Sequence, residues 1–145
     1  MEYTREHYLI SNDKGKLDVD VIHEFLSKRS YWATGRSREI VERSIANSLC
    51  FGVYDTDAKQ QVGFARVVTD FAIFAYIADV FILEPYRGRG LSKWLIESIR
   101  AHPDLQHLGR WLLATKDAHE LYRQFGFHEL EAPERWMEVR RHSPT

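Results

Sequence analysis

Cysteine is almost missing from this chain, and its absence removes a whole class of folds. A single Cys50 among 145 residues leaves no disulfide framework to staple a small scaffold and suits a reducing compartment. Cys50 itself lies in the apolar run SLCFGVY, where a buried small hydrophobe is the favoured reading over a nucleophile or metal ligand. No cluster of His, Cys and acidic residues has metal-ligand spacing, and HPDLQH reads as a loop, so no metal is expected. No run approaches the ~18 apolar residues of a membrane-spanning helix. The charged start MEYTREHYLISNDKGK lacks an apolar core of signal-peptide length, so the expectation is a soluble, cytoplasmic protein without a membrane partner. Neither sign of charge dominates: 20 Lys and Arg face 21 Asp and Glu, which gives no reason to expect nucleic acid. Internal repeats and low-complexity linkers are also missing. What remains is an ordinary globular composition, 44% hydrophobic, sized for one compact domain over residues 1–145.

The patterning alternates between strand and helix periods. REHYLIS reads as a short strand closed by the turn NDKGK. DVDVIHEFLSKRS reads as an amphipathic helix, with Asp18 or Asp20 as cap and Val21, Ile22, Phe25 and Leu26 on one face. A second helix, SREIVERSIANS, has Ser37 as cap and Ile40, Val41 and Ile45 as its apolar face. The connection SYWATGR places Tyr31 and Trp32 beside Gly35 and Arg36, either lining a pocket or stapling the helix pair. Three closely spaced strands follow, SLCFGVYD, QQVGFARVVTD and FAIFAYIADVFILE, an antiparallel meander. The third is nearly all apolar, as a central strand covered on both faces should be, and Asp79 is its only internal charge. The helix LSKWLIESIRAH, the strand RWLLAT, the helix DAHELYRQFGF stopping at Gly126, and a last strand ERWMEVRR complete a β α α β β β α β α β order. The tail HSPT is expected to fray. The fold class is α/β, with a mixed, mostly antiparallel central sheet and helices on both faces.

Between the apolar strand and the third helix stands EPYRGRGLS. A glycine-rich turn that runs from a strand into a helix presents free backbone N–H groups and the helix's positive end to one spot, where an anion binds. Gly88 and Gly90 remove side-chain bulk, and Arg87 and Arg89 add cationic reach. A turn needing positive φ, flanked by solvated arginines, explains the same residues. The segment is not a Walker loop, since no GK[ST] ending follows, and no Rossmann unit surrounds it.

RGRGLS resembles the R-x-x-G-x-G/A pyrophosphate signature of the GNAT N-acetyltransferase superfamily, with Ser92 where glycine or alanine is usual. ADVFILEPYRGRGLSKWLIESI is similar to the family's central strand, turn and helix, and DAHELYRQFGF to its penultimate helix with a Tyr-x-x-x-Gly-Phe ending. The order of elements matches along almost the whole chain. The resemblance implies a small, single-domain N-acetyltransferase. Such an enzyme moves an acetyl group from acetyl-CoA to a primary amine of a small molecule, by direct attack in a ternary complex. It also implies that the turn Arg87, Gly88, Arg89, Gly90, Leu91, Ser92 and Lys93 cradles the coenzyme A pyrophosphate. The preceding strand would be bulged and splayed, with the main chain of Phe81, Ile82 and Leu83 pairing with the pantetheine arm and the Ile82 N–H serving the oxyanion.

By the same resemblance Tyr122 would protonate the departing thiolate. Asp79 is a candidate proton acceptor or a residue that fixes the sheet, and both readings stand; many relatives carry a glutamate where this chain has Ala78. Asp117 is either a pantetheine contact or an ordinary helix cap. His119, three residues from Tyr122, reads as a surface residue. The acceptor wall would be drawn from Tyr31, Trp32, Phe71 and Trp136, with Arg36 and Arg135 holding a carboxylate, which points to an amino acid or similar amine. Those aromatics serve equally as core residues or as a homodimer contact. A module of the same fold that binds coenzyme A without turnover is the alternative function.

Overall fold

The computed structural model describes residues 1–141, so the expected frayed tail HSPT lies outside the described residues. Among the described residues six strands form one sheet in chain order: β1 (Glu2–Arg5), β2 (Tyr8–Ser11), β3 (Leu49–Asp55), β4 (Gln60–Thr69), β5 (Phe74–Ile82) and β6 (Arg110–Leu113). Neighbours are antiparallel from β1 to β5, while β5 and β6 run parallel and are joined through a helix, as a parallel pair must be. Buried residues run consecutively through β3 and β4, so both faces of the sheet centre are covered. Among the described residues, no helix is long and apolar enough to cross a membrane.

The helices begin where their caps stand. The Asp18 carboxylate accepts from the N–H groups of Asp20 and Val21 and starts α1 (Val19–Glu24), and the Ser37 hydroxyl accepts from the Ile40 N–H and starts α2 (Arg38–Ala46). α1 widens into a π-helical turn over Phe25–Arg29 that buries Phe25 and Leu26. Phe25 stacks on Phe81 of β5 with ring centroids 4.1 Å apart, pinning this segment to the sheet. α3 (Leu91–Arg100) buries Leu91, Trp94, Leu95, Ile96 and Ile99 along one face. α4 (His119–Arg123) ends in a paired bond set: the Phe127 N–H donates to the Tyr122 carbonyl, and the Gly126 N–H to that of Arg123. Gly126 stands at φ +90°, so the helix closes as its glycine foretells.

Two expectations need correction. REHYLIS is not one strand: the chain reverses at Glu6, φ +55°, and a hairpin adds β1 at the sheet edge, whose mostly exposed residues carry no hydrophobic pattern. ERWMEVRR is not a strand either. Pro133–Arg135 form a 3₁₀ turn, and Met137 and Val139 are almost fully exposed, so their alternation has no face to bury among the described residues.

The feature that shapes the site is in β5. Gly63 pairs with Ile82 and Phe64 with Phe81, but the next pair is Arg66 with Ala78, so Asp79 and Val80 together oppose Ala65. This β-bulge places Asp79 at φ +56°. β6 pairs only with Phe74–Ile77, leaving β5 beyond Ala78 without a strand neighbour on that side among the described residues. The sheet opens there into a wedge.

Candidate active site

β5 passes through a 3₁₀ turn at Glu84–Tyr86 into Arg87, Gly88, Arg89 and Gly90. Gly88 and Gly90 hold φ +80° and +77°, which glycine alone adopts without strain, and a Cβ at either would meet no atom within 4 Å. The space over both is therefore open for a ligand. Gly90 caps the ten-residue α3 without a side chain, and Trp94 is the first residue whose N–H returns into the helix, to the Gly90 carbonyl. The N–H groups of Leu91, Ser92 and Lys93 thus have no intrahelical partner and face outward at the helix's positive end. Open glycines, bare amides and an adjacent arginine fit a pyrophosphate.

The two arginines part company. Arg87 donates through Nε to the Ile82 carbonyl at 3.0 Å, which anchors its stem and leaves its terminal nitrogens for a ligand. Arg89 donates through Nη1 to the Tyr8 hydroxyl at 2.7 Å and lies 5.2 Å over the Tyr86 ring. Tyr86 in turn donates to the buried Asp55 at 2.9 Å. Amide donation, chiefly from Ala58, and the Tyr86 hydroxyl hold the Asp55 carboxyl below its ordinary range. Arg89 therefore braces the glycine turn against β2 and β3. If the turn holds the coenzyme that the sequence resemblance implies, Arg87→Ala should weaken acetyl-CoA binding roughly tenfold, flatten its salt dependence, and slow turnover at saturating cofactor far less. Arg89→Ala should weaken binding less and leave the salt slope unchanged; titrations at two ionic strengths check both.

Of the three residues expected to offer main chain to the pantetheine, one faces the wedge. The Leu83 N–H donates to the Val62 carbonyl at 2.8 Å, and the Leu83 carbonyl accepts from Tyr86. Phe81 and Leu83 turn toward β4, so the expectation is corrected for both. Ile82 lies between them and alternation turns its peptide groups to the unpaired side, where its carbonyl is taken by Arg87 and its N–H is left for a ligand.

Tyr122 is the buried residue of α4. Its ring is buried and meets Phe127 edge-on at 5.8 Å, while its hydroxyl makes no hydrogen bond among the described residues. Burial, with the neighbouring Tyr31, pushes its pKa up to about 12, so it stays protonated at any physiological pH. The Tyr31 hydroxyl accepts from the Lys116 N–H at 3.1 Å, joining the α1–α2 loop to the segment before α4. Asp117 is exposed and does not cap α4, whose cap is Ala118; the Thr115 hydroxyl accepts the Ala118 N–H instead. That corrects the capping reading. His119 is exposed.

Asp79 is enclosed. Its carboxylate, 2% exposed, accepts from Trp32 Nε1 at 2.9 Å, from Arg36 Nη1 at 2.9 and 3.1 Å, and from Arg66 Nε at 2.9 Å. Burial pushes its pKa up, but the Arg66 and Arg36 guanidinium groups outweigh it and hold the carboxyl below its ordinary range. A carboxylate so saturated and so weakly basic is a poor proton acceptor, which corrects the expected catalytic role. Arg36 is likewise engaged by Asp79 rather than held ready for a substrate carboxylate.

The acceptor wall assembles only in part. Tyr31 and Trp32 meet edge-on at 5.1 Å and are 55% and 39% exposed, so they are available to a ligand beside Tyr122. Phe71 does not join them. It sits at the β4–β5 hairpin tip at φ +59° and lines a separate cleft with Lys14, Asn47 and Thr69. Trp136 packs under Arg110 at the start of β6, 5.0 Å from guanidinium carbon to ring centre, and Arg135 is exposed in the preceding turn.

Residues 46–129 match the family described as an acetyltransferase (GNAT) domain. The chain belongs to the GNAT acetyltransferase family. A candidate acetyltransferase of Gibberella zeae is 30% identical across 83% of this GNAT chain and 78% of its own. A solved GNAT-family structure from Xanthomonas campestris is 46% identical, covers 95% of this chain and 94% of its own, and superposes with a TM-score of 0.89. A Mycobacterium tuberculosis protein solved in complex with CoA shares the fold, with a TM-score of 0.68 at 17% identity over 84% of this chain and 72% of its own.

Sequence reasoning overlooked several residues that shape the GNAT site. Arg66 had a signal, since it is the one charge inside an apolar strand next to another apolar strand whose one internal charge is Asp79. Tyr8, Asp55 and Lys116 had none, because their contacts join segments distant in sequence.

Proposed function

We propose that this GNAT domain transfers the acetyl group of acetyl-CoA to the primary amine of a small molecule, an amino acid or similar, by direct attack in a ternary complex. The observation that carries this reading is the joining of an open, positively polarised glycine turn to a bulged strand whose last residues β6 does not pair. The amides of Leu91, Ser92 and Lys93, with Arg87, hold the pyrophosphate, and the Ile82 N–H receives the negative charge that develops on the carbonyl oxygen. When bound, acetyl-CoA supplies an activated acyl group as a thioester. Tyr31 and Trp32 form the wall against which the acceptor lies, and their exposed rings shield the reacting centre from bulk water. The Tyr122 hydroxyl delivers its proton to the departing sulfur, and the phenolate regains a proton from solvent to close the cycle. With Asp79 spent on its arginines, the proton of the attacking amine passes to solvent.

A phenol with its pKa near 12 loses its donor role only as pH rises through that value. The rate should therefore climb with pH as the amine acceptor deprotonates, with no alkaline fall attributable to Tyr122 below about pH 11. The test of the function itself is a panel of amino acids, peptide amines and polyamines assayed for release of coenzyme A, run beside a calorimetric titration with acetyl-CoA. Binding with turnover of an amino acid or similar small amine is expected. Binding without turnover of any amine would favour the coenzyme-A-binding module, and absence of binding would overturn both.

A further inference from the structure

The Asp79 carboxylate joins three elements. Two of its donors, Trp32 and Arg36, come from the α1–α2 loop that carries the acceptor wall, and the third, Arg66, comes from β4 and donates onward to Ser48 at the entry of β3. Asp79 itself is the bulge residue of β5, three positions before Ile82. Its left-handed φ is one that aspartate and asparagine adopt more readily than other residues bearing a Cβ. The same side chain that tolerates the bulge therefore also ties the acceptor loop to it.

We propose that Asp79 is a positioning residue that locks the Tyr31–Trp32 loop to the bulged strand, so that the acceptor wall and the strand serving the thioester are held in one frame. This rests on the acetyl-transfer reading for its consequence in catalysis, though not for its consequence in the loop. Loss of the carboxylate charge releases the loop while leaving the glycine turn untouched, because that turn is braced separately through Tyr8, Tyr86 and Asp55. Asp79 acts through the residues that it holds and touches no reacting atom.

Asp79→Asn isolates the charge, since asparagine keeps the shape, the tolerance of positive φ and one acceptor for Trp32, but offers an N–H where Arg66 donates. Trp32→Phe removes a single donor and keeps a ring in place, so it serves where Asp79→Asn folds poorly. The amides of Ala33 and Arg36 are hydrogen-bonded within the loop and that of Gly35 to Ser27 of the preceding π-helical turn, so all three report its closure by hydrogen exchange. In Asp79→Asn they should exchange at least about tenfold faster than in the native protein, with Trp32→Phe intermediate and Arg87–Lys93 unchanged. Acetyl-CoA affinity should stay within about threefold, while KM for the amine best turned over by the native enzyme should rise about tenfold and kcat should change less. Native exchange in the loop of folded Asp79→Asn overturns the proposal, and so does a loss of acetyl-CoA affinity with acceptor KM unchanged. If the native protein turns over no amine, the acetyl-transfer reading fails on its own account, and the exchange result still decides whether Asp79 locks the loop.

Discussion

Gly90→Glu should yield a folded protein whose affinity for acetyl-CoA has fallen by at least about a hundredfold, because its carboxylate would take the place reserved for phosphate oxygens. Two structural facts make this sharp. A Cβ at Gly90 meets nothing within 4 Å, so the new side chain forces no repacking, although the φ of +77° costs a non-glycine residue about 1–2 kcal/mol. A carboxylate at a helix N-terminus returns about 0.3–1 kcal/mol of that, so the melting temperature should fall only modestly. The same carboxylate repels a pyrophosphate and competes with it for the amides of Leu91, Ser92 and Lys93. Gly90→Ala is the control, carrying the backbone strain without the charge, and it should retain most of the affinity. Calorimetric titration of both variants, each checked by thermal melting, measures the difference; equal affinities would remove the anion site from this turn.

Tyr122→Phe is expected to lower kcat by on the order of 10²-fold, the usual size of a general-acid contribution, with acetyl-CoA affinity retained. The buried ring and its edge-on contact with Phe127 survive the change, so neither the fold nor the wedge should be disturbed. Only the hydroxyl is lost, and it bonds to nothing among the described residues, so its removal breaks no internal contact. The comparison needs saturating acceptor and conditions where chemistry limits the rate, because a thiolate is a fair leaving group and a slow amine attack would mask the proton's contribution. Full activity would assign the proton to water, and a loss confined to cofactor affinity would make Tyr122 a wall of the pocket.

What could be read from the chain follows from how local each signal is. The glycine turn was legible because positive φ, bare helix amides and nearby cations all reside within EPYRGRGLS, and Gly126 was legible as a helix stop for the same reason. The antiparallel meander was legible from apolar runs separated by short turns. The β1–β2 hairpin was not, since an exposed edge strand buries too little to leave a period, and ERWMEVRR misled in the opposite sense by alternating with nothing to pack on. In the site, the acid and the cofactor cradle were visible as types, but Asp79 could be a base or a brace until its partners were known. Deciding this required Arg66 and Arg36, which lie 13 and 43 residues away. Arg89 is the converse: an arginine in a phosphate signature that the fold turns back onto Tyr8. Breaking a buried ion pair such as that at Asp79 costs about 3–5 kcal/mol, so the cluster weighs on stability as well as on the site.

The central claim is that coenzyme A sits on the glycine turn with its arm along the unpaired edge of β5, and amide resonances report that placement directly. In a ¹⁵N-labelled sample titrated with coenzyme A, the largest shifts should fall on Gly88 through Lys93 and on Ile82, with Asp55 and the β1–β2 hairpin nearly still. Saturable binding whose shifts cluster elsewhere, or a titration that leaves Gly88, Gly90 and Ser92 unmoved, would contradict the account.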